Sequence, residues 1–521
     1  MRTTTTMTPI IRIFLGLGLL VTIVLGSPLP HSAIPEYFQH APVTRGQLSV
    51  SQVQQELGSQ LSKGSLIIGP DDPEWANVTK RYSTFSKPQD LKLVVKVNAE
   101  SDVPKVVKYC NKNSINFMAN NQGHGFTTTI TKLSGIEINL SQLTNIKIQP
   151  NKKSAWFQGG TWGGNIIKTL WDQGFVTTTG SNECVGLMGP ALGGGFGRYQ
   201  GLYGLVSDNF VTLNVVLGDG RNLQVSKTSY PDLFWALKGA GHNFAIVTSA
   251  ELNIYPRKID TWHYHNYAWT QDKLETIFET LNRVQGNGTT PAKLAVNFGQ
   301  VSLDPSYSKT EAIIGWTFAY MGSAAEGEML LQPFNEIPAL QSVQGDVSYE
   351  ELLQVQGTGA SDPTACSSSP LVGSSGLLQT WNVTSQREIY NLFNKKAVEQ
   401  PDLAANARVF YECYSTLKTQ AIDAASSAYP HRDEYLVYFF ATVTPPGKED
   451  QAHEWASQVR NLFNDSEPNR RVATYVNYAT GDESLESIYG YEPWRLQKLR
   501  ALKAKYDPKN AFRYYNPIIP A

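Results

Sequence analysis

Cysteine is scarce in this chain, and its scarcity excludes a scaffold built from disulfides. Only Cys110, Cys184, Cys366 and Cys413 occur among 521 residues. Four cysteines allow three full pairings, and the sequence does not choose among them. A hydrophobic core must therefore provide most of the stability, and a chain of this length predicts two to four domains.

An excess of charge of one sign is also lacking. The chain contains 44 Lys and Arg residues against 45 Asp and Glu residues, and no segment is a run of like charge. This balance gives no indication of the basic segments that are typical of proteins that bind nucleic acids or anionic membrane surfaces. We therefore expect no nucleic-acid partner, and no membrane partner once the N-terminal segment described next has been removed.

Only one long apolar run occurs, and it lies near the N-terminus. Residues 13–26 read IFLGLGLLVTIVLG, with Arg2 and Arg12 flanking its start and small residues near its end. The run is shorter than the ~20 residues that a helix needs to cross a bilayer, so it predicts a cleaved signal peptide over residues 1–26. A membrane anchor is the alternative. Five glycosylation sequons fit a secreted glycoprotein; they begin at Asn77, Asn139, Asn287, Asn382 and Asn464.

Several common signatures of catalytic and metal sites are missing. The chain has no G-x-S-x-G nucleophile elbow, no Walker loop, and no G-x-G-x-x-G motif opening a helix in a βαβ unit. His263 and His265 share one face of a predicted strand, with no cysteine or carboxylate partner nearby. Because this set of zinc-type ligands is incomplete, both histidines are interpreted as structural and no metal site is predicted.

Alternating strands and helices are present from Phe85 onwards. LKLVVKV (91–97) predicts a strand, and the apolar spacing after it predicts a helix. INFMANN predicts the next strand, which runs into QGHG and places His124 between two glycines. After Pro256, strands such as RVFYECYSTL alternate with helices, which is typical of an α+β domain with an antiparallel sheet.

Two further motifs are candidate site elements. LGGGFG (192–197) has consecutive glycines, which allow backbone N–H groups to approach a phosphate, although a tight turn explains them equally well. YVNY (475–478) predicts a strand with Tyr475 and Asn477 on one face and Tyr478 on the other. A tyrosine can serve as a general base only if neighbouring groups lower its pKa.

In their order along the chain, these motifs resemble the berberine bridge enzyme-like flavoproteins, which have an FAD domain of the vanillyl-alcohol-oxidase type. The resemblance runs from about Phe85 to Pro256 through QGHG, GGTWGGN, CVGLMGPALGGGFGRYQGLYG, VVLGDG and DLFWALKGAGHNFAIVTS. It resumes at YVNYATGDE and LKAKYDPKNAFRYYNP. About half of the chain is covered, and residues 257–470 match only by position.

The resemblance implies specific roles. His124 corresponds to the histidine that bonds to the flavin 8α-methyl group, and Tyr475 to the base that removes the substrate hydroxyl proton, with Asn477 facing the flavin. Hydride would pass from the substrate to the flavin, and O2 would reoxidise it. The other residues expected to contact FAD are Asn121, Gln122, Gly123, Gly125, Val185, Gly186, Gly189, Leu192, Gly193, Gly194, Gly195, Gly197, Ile246 and Val247.

One departure from the family pattern bears on the cofactor link. Many members carry a second covalent bond to the flavin through a cysteine, and that position is Asn182 here, with Cys184 two residues later. We therefore expect a single link, through His124.

The resemblance predicts an α+β protein with a two-lobed FAD-binding domain and a substrate domain of antiparallel sheet and helices. The expected divisions are a signal peptide (1–26), a lead-in (27–74), the FAD domain (75–256), the substrate domain (257–470) and a C-terminal segment completing the FAD domain (471–521). The predicted function is a secreted FAD-dependent oxidase of a small molecule, in secondary metabolism. The alternatives are a carbohydrate oxidase and a flavin-binding protein with a structural flavin, such as a non-redox cyclase.

Overall fold

The computed structural model describes residues 49–285, 288–362, 365–434 and 436–520. The first sheet in chain order has four strands. The strand order is β1-β2-β4-β3, in which β4 pairs in parallel with β2 and β3, and β1 is antiparallel to β2. The strands are β1 (Leu66–Ile68), β2 (Asp90–Lys96), β3 (Asn116–Asn120) and β4 (Ser134–Asn139). The helices are α1 (Val50–Glu56), α2 (Trp75–Val78) and α3 (Val103–Lys112).

Helix α3 confirms the prediction from apolar spacing. Val103, Val106, Val107 and Cys110 are fully buried in one hydrophobic cluster with the strands of the first sheet. Pro104 lies in the first turn, where its missing N–H has no intrahelical partner to lose. The crossover through α3 leads into β3, and β3 ends at the residue that precedes the predicted cofactor loop, 121–125.

A second, five-stranded sheet is antiparallel throughout, in the order β5-β6-β10-β8-β9. Its strands are β5 (Ile146–Ile148), β6 (Ser154–Gln158), β8 (Phe210–Val216), β9 (Asn222–Ser226) and β10 (Ile246–Asn253). The connections contain α4 (Gly163–Trp171), α5 (Met188–Leu192), α6 (Gln200–Tyr203) and α7 (Pro231–Leu237). A two-stranded pair joins β7 (Phe175–Val176) to β11 (Tyr255–Pro256).

The third sheet has seven antiparallel strands in the order β15-β12-β14-β13-β17-β18-β16. They are β12 (Trp262–Trp269), β13 (Leu294–Asp304), β14 (Ser308–Met321), β15 (Gln341–Val347), β16 (Leu371–Leu378), β17 (Ala407–Tyr414) and β18 (Leu436–Val443). The helices of this region are α8 (Leu274–Gln285), α9 (Ala324–Asn335), α10 (Tyr349–Val355), α11 (Val383–Glu399), α12 (Pro401–Ala404), α13 (Leu417–Gln420) and α14 (Glu449–Asp465). The α+β fold class predicted from the sequence is confirmed.

The two faces of this third sheet differ. Side chains of α8, α9, α11 and α14 form one core cluster with strand residues such as Val409 and Tyr411. The alternate residues of β17, Phe410, Glu412 and Tyr414, line a cavity on the opposite face. Because successive side chains of a strand point to opposite faces, the same strand serves both the core and the cavity.

The C-terminal segment packs against the second sheet through α15 (Leu485–Tyr489) and α16 (Pro493–Tyr506), and against the first sheet through Phe512. The buried Lys503 Nζ donates to the Asn243 carbonyl (2.7 Å) and the Phe512 carbonyl (2.9 Å). Arg513 Nη2 donates to Asn116 Oδ1 at the start of β3 (2.7 Å). All of these residues belong to one structural unit, and the domain boundaries given above remain a prediction.

Several sequence-based expectations concern the N-terminus. The expected signal peptide and residues 27–48 of the expected lead-in lie outside the described residues. Within the described ranges, no helix combines the length and apolar character needed to cross a bilayer.

Candidate active site

A single cavity of about 740 Å³ collects thirteen of the residues proposed from the sequence. It lies among the end of β3, the loop before α5, the start of β10, the C-terminal segment and the open face of the seven-stranded sheet. The thirteen residues are Asn121, Gln122, Gly123, His124, Gly125, Val185, Gly186, Gly189, Leu192, Ile246, Val247, Tyr475 and Asn477.

His124 is held at the end of β3 by a glycine turn. Gly123 has φ +72°, and a Cβ there would lie 2.7 Å from the Lys80 carbonyl oxygen, so only glycine fits. The His124 ring stacks on Tyr82, with 5.1 Å between ring centroids. Neither ring nitrogen has a well-formed hydrogen bond to any described residue. Burial lowers the pKa of His124 to about 4, so the imidazole is neutral near neutral pH and keeps a lone pair for bonding.

Backbone around His124 is open towards the cavity. Asn121 Nδ2 donates to the Thr161 carbonyl (3.0 Å), while Asn121 Oδ1 is buried and has no partner among the described residues. A Cβ on Gly186 would lie 2.5 Å from Asn121 Nδ2, which explains glycine at that position. Gly189 is different, since a Cβ there would meet nothing within 4 Å. Its carbonyl and the neighbouring backbone therefore form a wall that a ligand can approach closely.

The glycine cluster 193–197 does not have the phosphate-binding geometry expected of it. Gly193, Gly194, Gly195 and Gly197 are not among the cavity-lining residues of the described chain. The N–H groups of Gly193 and Gly194 donate to backbone carbonyls of α5, and that of Gly195 donates to Tyr475 Oη. A Cβ on Gly197 would collide with the Thr179 carbonyl oxygen. These glycines therefore allow a tight turn and close packing, which was the competing explanation.

The YVNY segment is a turn, and the predicted strand is wrong. The Tyr478 N–H donates to the Tyr475 carbonyl (2.8 Å), which closes the turn. Tyr475 Oη accepts three hydrogen bonds, from the N–H of Gly195 (3.1 Å), the N–H of Phe196 (3.2 Å) and Asn477 Nδ2 (2.6 Å). Burial raises the pKa of Tyr475 above its ordinary value, and these donors oppose that rise because they stabilise the phenolate.

Tyr478 also lines the cavity, which a position on the opposite strand face would not allow. Its hydroxyl donates to Glu412 Oε1 (2.9 Å), and its ring lies 5.2 Å from that of Tyr475. Burial raises the pKa of Glu412 to about 7. Glu412 is therefore a second group in the cavity that can take or hold a proton near neutral pH.

The raised pKa of Glu412 predicts a pH dependence of stability. Its folded-state pKa lies above the ordinary value of 4.5, so the unfolded chain loses this proton first and stability falls as the pH rises from about 4.5 to about 7. Glu412→Gln cannot ionise, so its free energy of unfolding should not show this fall. The difference between the variant and the wild type should therefore grow by roughly 2–3 kcal/mol, in favour of the variant, as the pH rises from about 5 to about 8. Urea unfolding at both pH values measures this gain. Glu388→Gln, at an exposed position of α11, is the control, and parallel pH curves for Glu412→Gln and the wild type would contradict the assignment.

Sequence reasoning assigned no role to His242 and Tyr515, which also line the cavity. His242 Nε2 lies 2.8 Å from the Gly189 carbonyl oxygen, and its ring stacks on Tyr515 at 4.2 Å. Burial lowers the pKa of His242 to about 4, so Nε2 carries the proton and Nδ1 is a buried acceptor. His242 lies in GAGHNFAIVTS and Tyr515 in AFRYYNP. Both segments carry the family resemblance, which could therefore have identified these two residues as site candidates.

The part of the cavity formed by the seven-stranded sheet has mainly aromatic walls. Phe298, Trp316, Phe410, Tyr414 and Phe439 line it, and Phe298 and Phe410 stack at 5.5 Å across neighbouring strands. Polar side chains, including Gln300, Arg408 and Glu412, lie among them. Aromatic surface with convergent polar groups is typical of a pocket for a small organic molecule.

A disulfide joins Cys184 to Cys366, with 5.7 Å between the Cα atoms, while Cys110 and Cys413 are buried thiols. Asn182 takes no part in a sulfur bond, since its Oδ1 accepts from the Cys184 N–H (2.9 Å) and its Nδ2 donates to the Ala365 carbonyl (3.1 Å). The sulfur of Cys184 is therefore already bonded to another residue.

One premise about the histidines outside the cavity is wrong. His263 and His265 were expected to lack a carboxylate partner, but the fold brings Glu328 of α9 against both and Asp346 of β15 against His263. Both carboxylates are more than 60 residues away in sequence, so spacing along the chain could not reveal them.

The cavity residues fit an FAD group. Buried polar atoms of four cavity residues, His124, Asn121, Asn477 and His242, have no hydrogen-bond partner in the described chain. Unpaired buried polar atoms are costly, so a polar ligand in the cavity would stabilise these four residues. Gly180 and Gly189 leave open space where a side chain would fill the cavity.

Comparisons with known proteins agree with this geometry. A family model described as "FAD binding domain" matches residues 91–226, and one described as "Berberine and berberine like" matches residues 474–519. The chain is 51% identical over 510 residues to FAD-linked oxidoreductase iacH of Pestalotiopsis fici, covering 97% of both chains. It is 50% identical to FAD-linked oxidoreductase anuG of Penicillium roqueforti, over 91% of this chain and 94% of that one.

Among solved structures, glucooligosaccharide oxidase from Acremonium strictum, which carries a 6-S-cysteinyl, 8α-N1-histidyl FAD, has the same fold. The TM-score is 0.75 at 20% identity, over 91% of this chain and 100% of that one. At this identity the likeness shows the fold alone. The near-complete alignments at half identity show more: this chain is an FAD-linked oxidoreductase that acts on a small-molecule substrate and belongs to the berberine bridge enzyme-like family.

Proposed function

We propose that this chain is a secreted oxidase that holds FAD covalently through His124 and uses Tyr475 as the base towards a substrate hydroxyl. When bound, the flavin supplies the hydride acceptor, and O2 is the final electron acceptor. His124 is suited to the link because its imidazole is neutral and half-buried, and neither ring nitrogen has a well-formed hydrogen bond within the described chain. Asn182 and the bonded sulfur of Cys184 favour a single link, unlike the two links of the Acremonium strictum enzyme.

The observation that carries the proposal is the set of three donors on Tyr475 Oη. A neutral phenol oxygen offers two lone pairs, whereas a phenolate offers more accepting capacity. Three N–H groups directed at one oxygen therefore favour the ionised form, in the way that an oxyanion hole favours its anion. Asn477 positions this oxygen, and its second amide hydrogen is held by the Pro190 carbonyl (3.0 Å).

Two of the donors come from a rigid part of the backbone. Phe196 lies beside Tyr475, with the rings stacked at 4.0 Å, and Gly195 precedes it with φ +86°. A Cβ on Gly195 would lie 2.7 Å from Val206. The glycine cluster thus serves the proposed base, since it places two N–H groups on the phenol oxygen, and this replaces the phosphate role expected from the sequence.

The aromatic walls favour a largely apolar substrate with at least one hydroxyl group. The relatives with half identity are fungal FAD-linked oxidoreductases, and their names do not mention sugars. A carbohydrate oxidase is the second candidate, because the solved structures of the same fold include oligosaccharide oxidases. The disulfide supports an oxidising compartment, as expected of a secreted protein.

Anaerobic reduction of the bound flavin tests the substrate class. We expect aromatic or polyketide-like alcohols to bleach the flavin absorbance, and oligosaccharides to leave it unchanged, because side chains such as Phe298, Trp316 and Phe410 line the cavity and pack favourably against an aromatic substrate. Admitting O2 should restore the absorbance and release H2O2. Bleaching by sugars alone would favour the carbohydrate oxidase, whereas product formation without any bleaching would favour a structural flavin.

A further inference from the structure

A cluster of metal-binding side chains lies outside the cavity, on the helix-covered side of the seven-stranded sheet. It consists of His263 and His265 of β12 and Glu328 of α9, and one ligand atom from each lies within 4.8 Å of the others. The two histidine side chains are 1% and 2% exposed, while Glu328 is 24% exposed. The two histidines are therefore buried, and the cluster is accessible to solvent only at Glu328.

The atoms that point away from the centre of the cluster are held by further hydrogen bonds. His263 Nδ1 lies 2.7 Å from Asp346 Oδ1, and His265 Nε2 lies 2.7 Å from Ser342 Oγ. Glu328 Oε2 accepts from Asn335 Nδ2 (2.7 Å). Metal-binding histidines almost always have their second nitrogen oriented in this way, often by a carboxylate.

The atoms that point inwards converge on one oxygen. His263 Nε2 lies 2.6 Å and His265 Nδ1 lies 2.8 Å from Glu328 Oε1. Tyr267 Oη lies 2.9 Å from the same His265 nitrogen and donates to Asn335 Oδ1 (2.7 Å). Two imidazole nitrogens and a carboxylate oxygen thus converge in one buried place, and a cation held between them would interact favourably with all three.

We propose that His263, His265 and Glu328 bind one divalent transition-metal ion, with Zn²⁺ as the best match. Two imidazoles and a carboxylate are a common zinc ligand set, with water as the fourth ligand, and the exposed side of Glu328 leaves room for that water. Tetrahedral bonds of ~2.0–2.1 Å need ligand atoms roughly 3.3 Å apart. The Glu328 side chain, partly exposed, would therefore move outwards by about half an ångström.

The proposed ion joins three elements behind one wall of the active site. Glu328 belongs to α9, the histidines to β12, and Asp346 and Ser342 to the edge strand β15. Asn266, between the histidines and Tyr267 in sequence, lines the cavity. Tyr267, whose hydroxyl contacts His265, also lines the cavity, but none of the three ligands does among the described residues. The role of the ion is therefore to stabilise this wall, and it takes no part in the oxidation.

Metal analysis of the full-length, flavin-loaded protein tests the proposal. After incubation with Zn²⁺ and dialysis, we expect about one bound zinc per chain in the wild type. Glu328→Gln retains an oxygen for both histidines but removes the charge, and His265→Asn removes a ligand, so both should lose the zinc. His453→Asn, on α14 and outside the cluster, should keep it. Zn²⁺ should also raise the unfolding temperature of the wild type by roughly 2–5 °C, and that of the two ligand variants by none.

Flavin absorbance provides a separate readout in every variant. It should stay unchanged, because the cluster lies on the other face of the sheet, so failure of the metal proposal is distinguishable from failure of the flavin proposal. The assignment would be overturned if Glu328→Gln bound as much zinc as the wild type, or if the wild type bound none. The cluster would then be a set of hydrogen-bonded side chains without an ion.

Discussion

Acid-precipitated wild-type protein should stay yellow, whereas His124→Ala should release essentially all of its flavin into the supernatant. A covalent bond survives loss of the fold, while noncovalent contacts in the cavity do not. His124 is suited to form this bond, since burial lowers its pKa to about 4 and neither ring nitrogen has a well-formed hydrogen bond within the described chain. Absorbance of the pellet and supernatant, with the mass of the flavin-bearing peptide, measures the result.

Two controls sharpen this prediction. His242 is another half-buried histidine of the same cavity, with its pKa lowered in the same way, and His242→Ala should retain flavin in the pellet. Replacing Cys184 and Cys366 together by serine removes the disulfide and should also leave the flavin attached. A change in flavin-peptide mass after the cysteine substitutions would show a second link and contradict the assignment to His124 alone.

Tyr475→Phe should slow flavin reduction by substrate roughly 10²–10⁴-fold, the range for a lost general base. The substitution removes one oxygen and almost no volume, so flavin content should not change. It leaves the N–H groups of Gly195 and Phe196 without their acceptor. Stopped-flow reduction of the anaerobic protein measures the rate, which separates this step from reoxidation.

The fold changes the choice of control for this variant. Tyr478 shares the cavity and hydrogen-bonds to Glu412, so Tyr478→Phe is expected to alter reduction to some degree. Tyr390 is the better match, since it is buried among the helices and its hydroxyl donates to the Ala312 carbonyl (2.6 Å). Tyr390→Phe should reduce at the wild-type rate.

The pH profile separates the two bases that the cavity offers. Because burial raises the pKa of Tyr475, a tyrosine base predicts a reduction rate that still rises above about pH 8. Glu412, with its pKa raised to about 7, predicts a plateau soon above neutral pH. A plateau together with near-normal reduction by Tyr475→Phe would assign the base to Glu412.

Local patterns predicted many secondary-structure elements well. The apolar spacing of α3 and the residue types of β2 and β3 are local features, carried by side chains within a few positions of each other, so periodicity reveals them. For the YVNY segment, the local pattern predicted the wrong structure. Its aromatic residues favour a strand, but Tyr475 and Tyr478 are anchored by partners from elsewhere in the chain, and these contacts override the local preference.

The amino-acid sequence alone was sufficient for the α+β class and the FAD-linked family, because these depend on ordered motifs that short segments carry intact. It also placed His124 and Tyr475 among the candidates. Only the tertiary structure decided what surrounds them. Two of the three donors on Tyr475 come from residues about 280 positions earlier, and Glu328 contacts His263 across 65 positions. Such contacts depend on how sheets and helices pack in three dimensions, and the spacing of residues along the chain does not predict that packing.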